Sequence, residues 1–126
     1  RICEMPTENK TPAEVVADIA KDENTPRFFL FTGSTGADGV NWCGDCRRAD
    51  PIIHSVLEAL PSVNLIVCEV GDRDTWRNPE HPLRVHPRLR LKGVPTLLKF
   101  EDNQSHNRLV EEQCADENLV KMLFTE

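Results

Sequence analysis

Trp42-Cys43-Gly44-Asp45-Cys46 is the stretch that decides how this chain is read. The C-x-x-C follows a short apolar run, Phe28-Phe29-Leu30-Phe31. It opens a segment in which Ile52, Ile53, Val56, Leu57 and Leu60 recur at helical spacing. Two thiols two residues apart at a strand-to-helix junction can close a small disulfide ring with little backbone movement. The helix start also offers unpaired N–H groups and a partial positive charge, which favour a thiolate on Cys43. The chemistry this implies is dithiol–disulfide exchange.

Working outward, the spacing predicts a helix from Cys43 to about Leu60, with Pro51 kinking it and Pro61 stopping it. Arg27–Thr32 reads as a short buried strand, and Gly33 to Asn41, with three glycines, as a loop. Val63–Val70 is apolar at nearly every position, as expected of a strand covered on both faces. Upstream, Thr11-Pro12-Ala13-Glu14 is a capping box with proline at the first helical position. The helix it opens places Val15, Val16, Ile19 and Ala20 on one face. Gly71 to Arg90 is polar, with a short helix expected after Pro82. Val94–Phe100 and Leu109–Glu112 read as a strand pair joined by Asp102-Asn103-Gln104-Ser105, and Asp116–Phe124 as a closing helix. A parallel βαβ unit followed by an antiparallel pair gives an α/β fold, a central mixed sheet flanked by helices on both faces.

At 126 residues the chain suits a single domain spanning residues 1–126. A net charge of −6 argues against nucleic acid or an anionic membrane as partner, and a monomer is expected. No apolar run approaches the ~20 residues of a membrane span, and no signal-peptide core is evident. Because the chain opens at Arg1 rather than Met, removal or replacement of an upstream segment is an expectation. Five cysteines are an odd count without the spacing of a secreted disulfide scaffold. That favours a reducing, cytoplasmic setting with one functional pair and three ordinary thiols. Cys68 then reads as a small hydrophobe in a strand, Cys114 as a residue preceding the last helix, and Cys3 as an adventitious oxidation site.

Zinc knuckles share the C-x-x-C spacing, so the pair alone does not exclude metal. Three features weigh toward redox chemistry. Trp42 can shield the sulfurs, the motif opens a helix behind a buried strand, and Gly93-Val94-Pro95-Thr96 opens the next strand. We read the Val94–Pro95 bond as cis, which would fill the space beside Cys43 and expose the Val94 backbone to an extended peptide; the alternative is a trans edge-strand proline. His81 and His86 could complete a Cys2His2 site but lie among prolines without a supporting apolar pattern, while His54 and His106 read as surface or helix-face residues. Arg84, Arg88, Arg90 and Lys92 form a basic strip, either a solvated face or a docking place for an acidic redox partner.

The Trp-Cys-x-x-Cys, the proline in the following helix and the Val-Pro-Thr strand resemble the thioredoxin superfamily. A finer series is similar to the 14-kDa thioredoxin-related family (thioredoxin domain-containing protein 17, Clot-like). Its members here are Phe31-Thr32-Gly33-Ser34, Val67-Cys68-Glu69-Val70-Gly71, a loop with Trp76, Gly93 to Lys99, and Asn118 to Phe124. The resemblance runs from Phe28 to the end. It implies a thioredoxin fold and a disulfide reductase in which Cys43 attacks and Cys46 resolves. It also implies no bound cofactor or metal, with thioredoxin reductase, a flavoprotein, returning electrons from NADPH. The implied substrates are small disulfides such as cystine and a restricted set of disulfide-containing proteins. Trp42, Gly44, Asp45, Val94, Pro95 and Thr96 become supporting or substrate-contacting residues, with Asp45 and the loop Gly33–Asn41 setting selectivity.

Gly44 departs from the family's usual proline and gives the turn more backbone freedom. The strand Phe28–Phe31 lacks the buried carboxylate of ordinary thioredoxins. Asp45 is the nearest substitute base, or equally a helix N-terminal carboxylate favoured by the macrodipole. The competing class is a non-catalytic thioredoxin-like adaptor or zinc-binding module whose Cys pair is structural.

Overall fold

The apolar run Phe28-Phe29-Leu30-Phe31 lies at the centre of one mixed sheet. The computed structural model describes residues 7–21, 26–101 and 104–125, apart from the side chain of His106. The expectations for Cys3, for Asp102-Asn103 in the hairpin turn and for the His106 side chain fall outside the described residues. The elements in chain order are β1 (Thr7–Lys10), α1 (Pro12–Ile19), β2 (Arg27–Thr32), α2 (Gly44–Glu58), β3 (Leu65–Glu69) and α3 (Arg73–Arg77). They continue with α4 (Pro82–Val85), β4 (Thr96–Glu101), β5 (Gln104–Val110), a 3-10 turn (Glu111–Ala115) and α5 (Glu117–Thr125).

The strand order is β1-β3-β2-β4-β5. Strands β1, β3 and β2 run parallel, while β4 and β5 continue the sheet antiparallel. Alternate residues of β2 face opposite sides, as the two-residue period of a strand requires. Phe29 and Phe31 join Val15, Ile19, Ile66, Leu83 and Phe100 in one apolar cluster. Phe28 and Leu30 join Ile53, Leu57, Leu97, Val120 and Phe124 in the other. Helices α1 and α4 cover the first face, α2 and α5 the second. The predicted α/β architecture is therefore the one observed.

The start of α2 crosses between the layers: Cys43 and Cys46 belong to the first cluster, Ala49 and Ile53 to the second. The helix runs through Pro51 to Glu58. This crossing brings the two thiols to the end of the sheet where β2 finishes and the segment before β4 begins.

Several local expectations are corrected. β1 has no counterpart in the sequence reading, because Thr7-Glu8-Asn9-Lys10 carries no apolar signal; its backbone pairing with β3 makes the strand. α3 is likewise additional, and Asp72 starts it by accepting the Thr75 N–H at 2.8 Å. Ala20 is exposed beyond the end of α1; Asp18, between Val15 and Ile19 on the buried face, takes its place. Strand β5 is Gln104–Val110 rather than Leu109–Glu112, and Glu111, at φ 55°, turns the chain into the 3-10 segment. Among the described residues no helix is long and apolar enough to cross a membrane.

Candidate active site

The site is assembled where the β2 end, the α2 start and the segment before β4 meet. Beyond β2 the loop returns at Asn41, whose side chain makes three hydrogen bonds. Its Nδ2 donates to Thr32 Oγ1 at 3.2 Å and to the Gly33 carbonyl at 2.8 Å, and its Oδ1 accepts the Cys43 N–H at 2.9 Å. Cys43 is the N-cap of α2, and its sulfur accepts the Cys46 N–H at 3.2 Å. The same sulfur lies 3.4 Å from the Val94 carbonyl oxygen, to which the thiol donates. The N-cap position thus sets one of the unpaired N–H groups of the helix start on this sulfur.

Cys46 has a different environment. Its sulfur accepts the Gly33 N–H at 3.4 Å and a bond from the Thr32 side chain. Burial, reinforced by the neighbouring Cys43, nevertheless pushes the Cys46 thiol up to about 12 against those two donors. One helix turn therefore presents one sulfur served by the helix start and a second held protonated.

The Val94–Pro95 peptide is cis, as the sequence favours, and Thr96 Oγ1 donates to the Gly93 carbonyl at 2.6 Å to brace the turn before it. Trp42 is pinned by its indole N–H to the Gly71 carbonyl at 2.9 Å, and the Arg73 guanidinium lies 5.5 Å from its ring centre. Gly71, at φ +108°, occupies backbone territory that side chains rarely enter. The indole also crowds Gly33, where a Cβ would lie 2.8 Å from the ring.

Asp45 on the first turn of α2 is paired with Arg48, while the groups at the Cys46 sulfur are Thr32 and Gly33. Gly44 has room: a Cβ there would meet nothing beyond its chain neighbours closer than the Arg48 guanidinium at 3.5 Å. Cys114 sits behind the proline, 3.7 Å from the Pro95 carbonyl and 3.4 Å from that of Leu109. Burial pushes both Cys114 and Cys68 up to about 12.

His81, read as a possible zinc ligand, is a buried cap. Its Nδ1 accepts the Leu83 N–H at 3.1 Å, its Nε2 lies 2.8 Å from the Val70 carbonyl, and its ring packs on Trp76. The Pro82 that follows is the sequence signal for an N-cap. His86 Nδ1 accepts the Arg88 N–H, and His54 lies 3.7 Å from Asp50 one turn away. Among the described residues no three metal-binding side chains converge.

The basic strip divides. Arg84 is no solvated residue: its guanidinium stacks 3.9 Å from the Trp76 ring centre and its Nε donates to the Trp76 carbonyl at 2.7 Å. With Lys92 it lines a groove of about 480 Å³ over Cys43, Gly44 and Val94, while Arg88 and Arg90 line a different depression. Arg48, Arg73 and Arg77 join that groove from other segments, and Asn41 braces the turn that carries Cys43; no local pattern in the sequence marks these four.

Comparison with known proteins agrees with this geometry. Residues 7–126 match the family model described as thioredoxin domain-containing protein 17-like, thioredoxin domain. The chain is 41% identical over 122 residues to the thioredoxin-like protein Clot of Arabidopsis thaliana, covering 92% of this chain and 91% of that protein. It is 40% identical over 100 residues to human thioredoxin domain-containing protein 17, covering 79% and 77%. Among solved structures, Malassezia sympodialis thioredoxin superposes with a TM-score of 0.66 at 14% identity, covering 99% of this chain and 93% of that one. Thioredoxin O2 of Arabidopsis thaliana gives 0.63 at 20% identity, covering 96% of each. These two likenesses show the thioredoxin fold, and the chain belongs to the thioredoxin domain-containing protein 17-like family.

Proposed function

We propose that the protein is a dithiol–disulfide oxidoreductase working in the reducing direction, with Cys43 as nucleophile and Cys46 as resolving thiol. The observation that carries this reading is the asymmetry of the pair. The Cys43 sulfur accepts a helix N–H and faces the groove beside Val94, whereas burial holds the Cys46 thiol up at about 12. The Cys43 thiolate attacks one substrate sulfur, the substrate S–S bond breaks, and the departing sulfur takes up a proton. Cys46 then loses its proton and attacks the Cys43 sulfur. The second substrate thiol is released, and two electrons have passed from the protein, which is left with a Cys43–Cys46 disulfide.

Trp42, Gly44, Asp45, Val94, Pro95 and Thr96 shape the surface on which the disulfide is presented. Family membership supports the remaining parts of the proposal. The protein binds no cofactor or metal of its own, and thioredoxin reductase, a flavoprotein, restores the dithiol with NADPH as ultimate donor. Its substrates are small disulfides such as cystine and selected protein disulfides. It works as a monomer in the reducing cytoplasm, where buried thiols such as Cys68 and Cys114 stay reduced.

The trapping pair of variants tests the roles. Cys46→Ser should accumulate a mixed disulfide through Cys43, visible as a mass increase by the substrate half. Cys43→Ser should accumulate none. Equal trapping by the two variants reverses or abolishes the assignment.

A further inference from the structure

The groove over Cys43 has a charge opposite to that of the chain. The protein carries a net charge of −6, yet Arg48, Arg73, Arg77, Arg84 and Lys92 line this opening against only Asp45 and Glu111. The cations come from α2, α3, α4 and the segment before Pro95, so no run of basic sequence accounts for the cluster. Three are fixed in place: Arg48 by Asp45, Arg73 over Trp42 and Arg84 over Trp76. Arg77 and Lys92 are exposed, and among the described residues no carboxylate pairs with either. Two unpaired cations beside three positioned ones, next to the reacting sulfur, form a surface complementary to anions.

We propose that this groove selects disulfides carried in acidic peptide segments, with carboxylates flanking the cystine held by Arg77, Arg84 and Lys92 as one cystine sulfur meets Cys43. The proposal rests on the disulfide-exchange reading above and draws its two electrons from the same Cys43–Cys46 dithiol, one substrate disulfide becoming two thiols. A peptide is the occupant because the groove is open and its cations surround Cys43 from separate segments. A chain with several carboxylates engages more of them than a small disulfide with two. Fields of this kind raise association rates by about 10-fold or more and weaken with salt.

The test uses the full chain, pre-reduced, in single-turnover reactions with four disulfides. Three are peptides of one length with a central cystine flanked by Glu, Gln or Lys; the fourth is 3,3′-dithiodipropionate. Each rate is divided by that of the same disulfide with dithiothreitol at high salt, which removes differences in leaving-group reactivity. The Glu peptide should react about tenfold faster than the Lys peptide at low salt. The gap should close near 1 M salt, where the screening length falls from about 10 Å to about 3 Å.

Arg77→Glu with Lys92→Glu should reverse the order of the Glu and Lys peptides. Equal normalised rates for the three peptides, or a ranking that salt leaves unchanged, overturns the proposal. Dithiodipropionate matching the Glu peptide overturns the choice of a peptide in favour of a small anionic disulfide. If the Gln peptide and all the others go unreduced, the disulfide-exchange reading itself fails, and this proposal with it.

Discussion

Asn41 accepts the Cys43 N–H through its side-chain oxygen at 2.9 Å while its amide nitrogen donates to Thr32 and to the Gly33 carbonyl. One carboxamide thus ties the residue carrying the first sulfur to the two residues that contact the second. With the Gly33 N–H bond to the Cys46 sulfur, it joins the end of β2 to the start of α2 and so fixes the relation of the two thiols.

Removing that link should matter for both folding and turnover. Each of the three hydrogen bonds contributes a net ~0.5–1.5 kcal/mol, so Asn41→Ala should lower stability by about 1.5–4.5 kcal/mol in a urea titration. It should also lengthen the life of the mixed disulfide in single-turnover trapping, because Thr32 and Gly33 no longer meet Cys46 at a fixed place. A variant with native stability and an unchanged resolving rate would show the link to be incidental.

The contrast between Asn41 and the motif it serves shows what is legible in the sequence. The buried strand Arg27–Thr32, the helix after Cys43 and the Val94–Pro95 turn all announce themselves by local residue types, and the structure has each in place. Asn41 is one polar residue at the end of a glycine-bearing loop, and its partners are chosen only when that loop folds back on β2. Arg48, Arg73 and Arg77 are scattered along the chain and converge only through the fold. β1 is polar because an edge strand needs only its backbone to pair, and period-based reading has nothing there to detect.

Two glycines in the same neighbourhood should respond oppositely to alanine. At Gly33 a Cβ would lie 2.7 Å from Asn41 Oδ1 and 2.8 Å from the Trp42 ring, both held by hydrogen bonds, so something must shift. Gly33→Ala should cost about 1–3 kcal/mol, as overpacking does. At Gly44 the nearest atoms are the ends of Arg48 and Arg47 at 3.5 Å or more. Gly44→Ala, at the first position of α2, should stabilise by about 0.4–1 kcal/mol through a less flexible unfolded chain. Thermal melts of the two variants should move in opposite directions.

Asp18 predicts the behaviour in acid. Burial pushes its carboxyl up, but the hydrogen bond and charge of Lys10, with Lys21 and Arg27, outweigh this and hold it below the ordinary carboxylate value. Lys10 lies at 3.1 Å and Lys21 at 3.4 Å. A depressed folded pKa gives stability that is present above the unfolded value, about 3.9, and lost as pH falls through the folded one. Asp18→Asn should therefore be less stable than the parent at pH 7 by about 1–3 kcal/mol. The difference should shrink when the denaturation is repeated near pH 2.5. A difference that stays constant with pH would assign the effect to packing instead of charge.

Alkaline pH probes the buried thiols. Cys46, Cys68 and Cys114 are each pushed from 9.0 to about 12, chiefly by burial. A thiol whose folded pKa lies above its unfolded value contributes stability that is fully present below about 9. That contribution is lost progressively as pH rises toward 12, because the unfolded chain releases protons that the fold retains. The melting temperature should accordingly fall between pH 9 and 11. The chain has no tyrosine, so no phenol ionises in that window, and the lysines that do are common to every variant. Cys68→Ala with Cys114→Ala leaves only Cys46 of the three and should flatten the fall by more than half relative to the parent, after each is referred to its own value at pH 7. Parallel curves for parent and double variant would mean that these two thiols titrate alike in the folded and unfolded chain, and the shift attributed to burial would have to go.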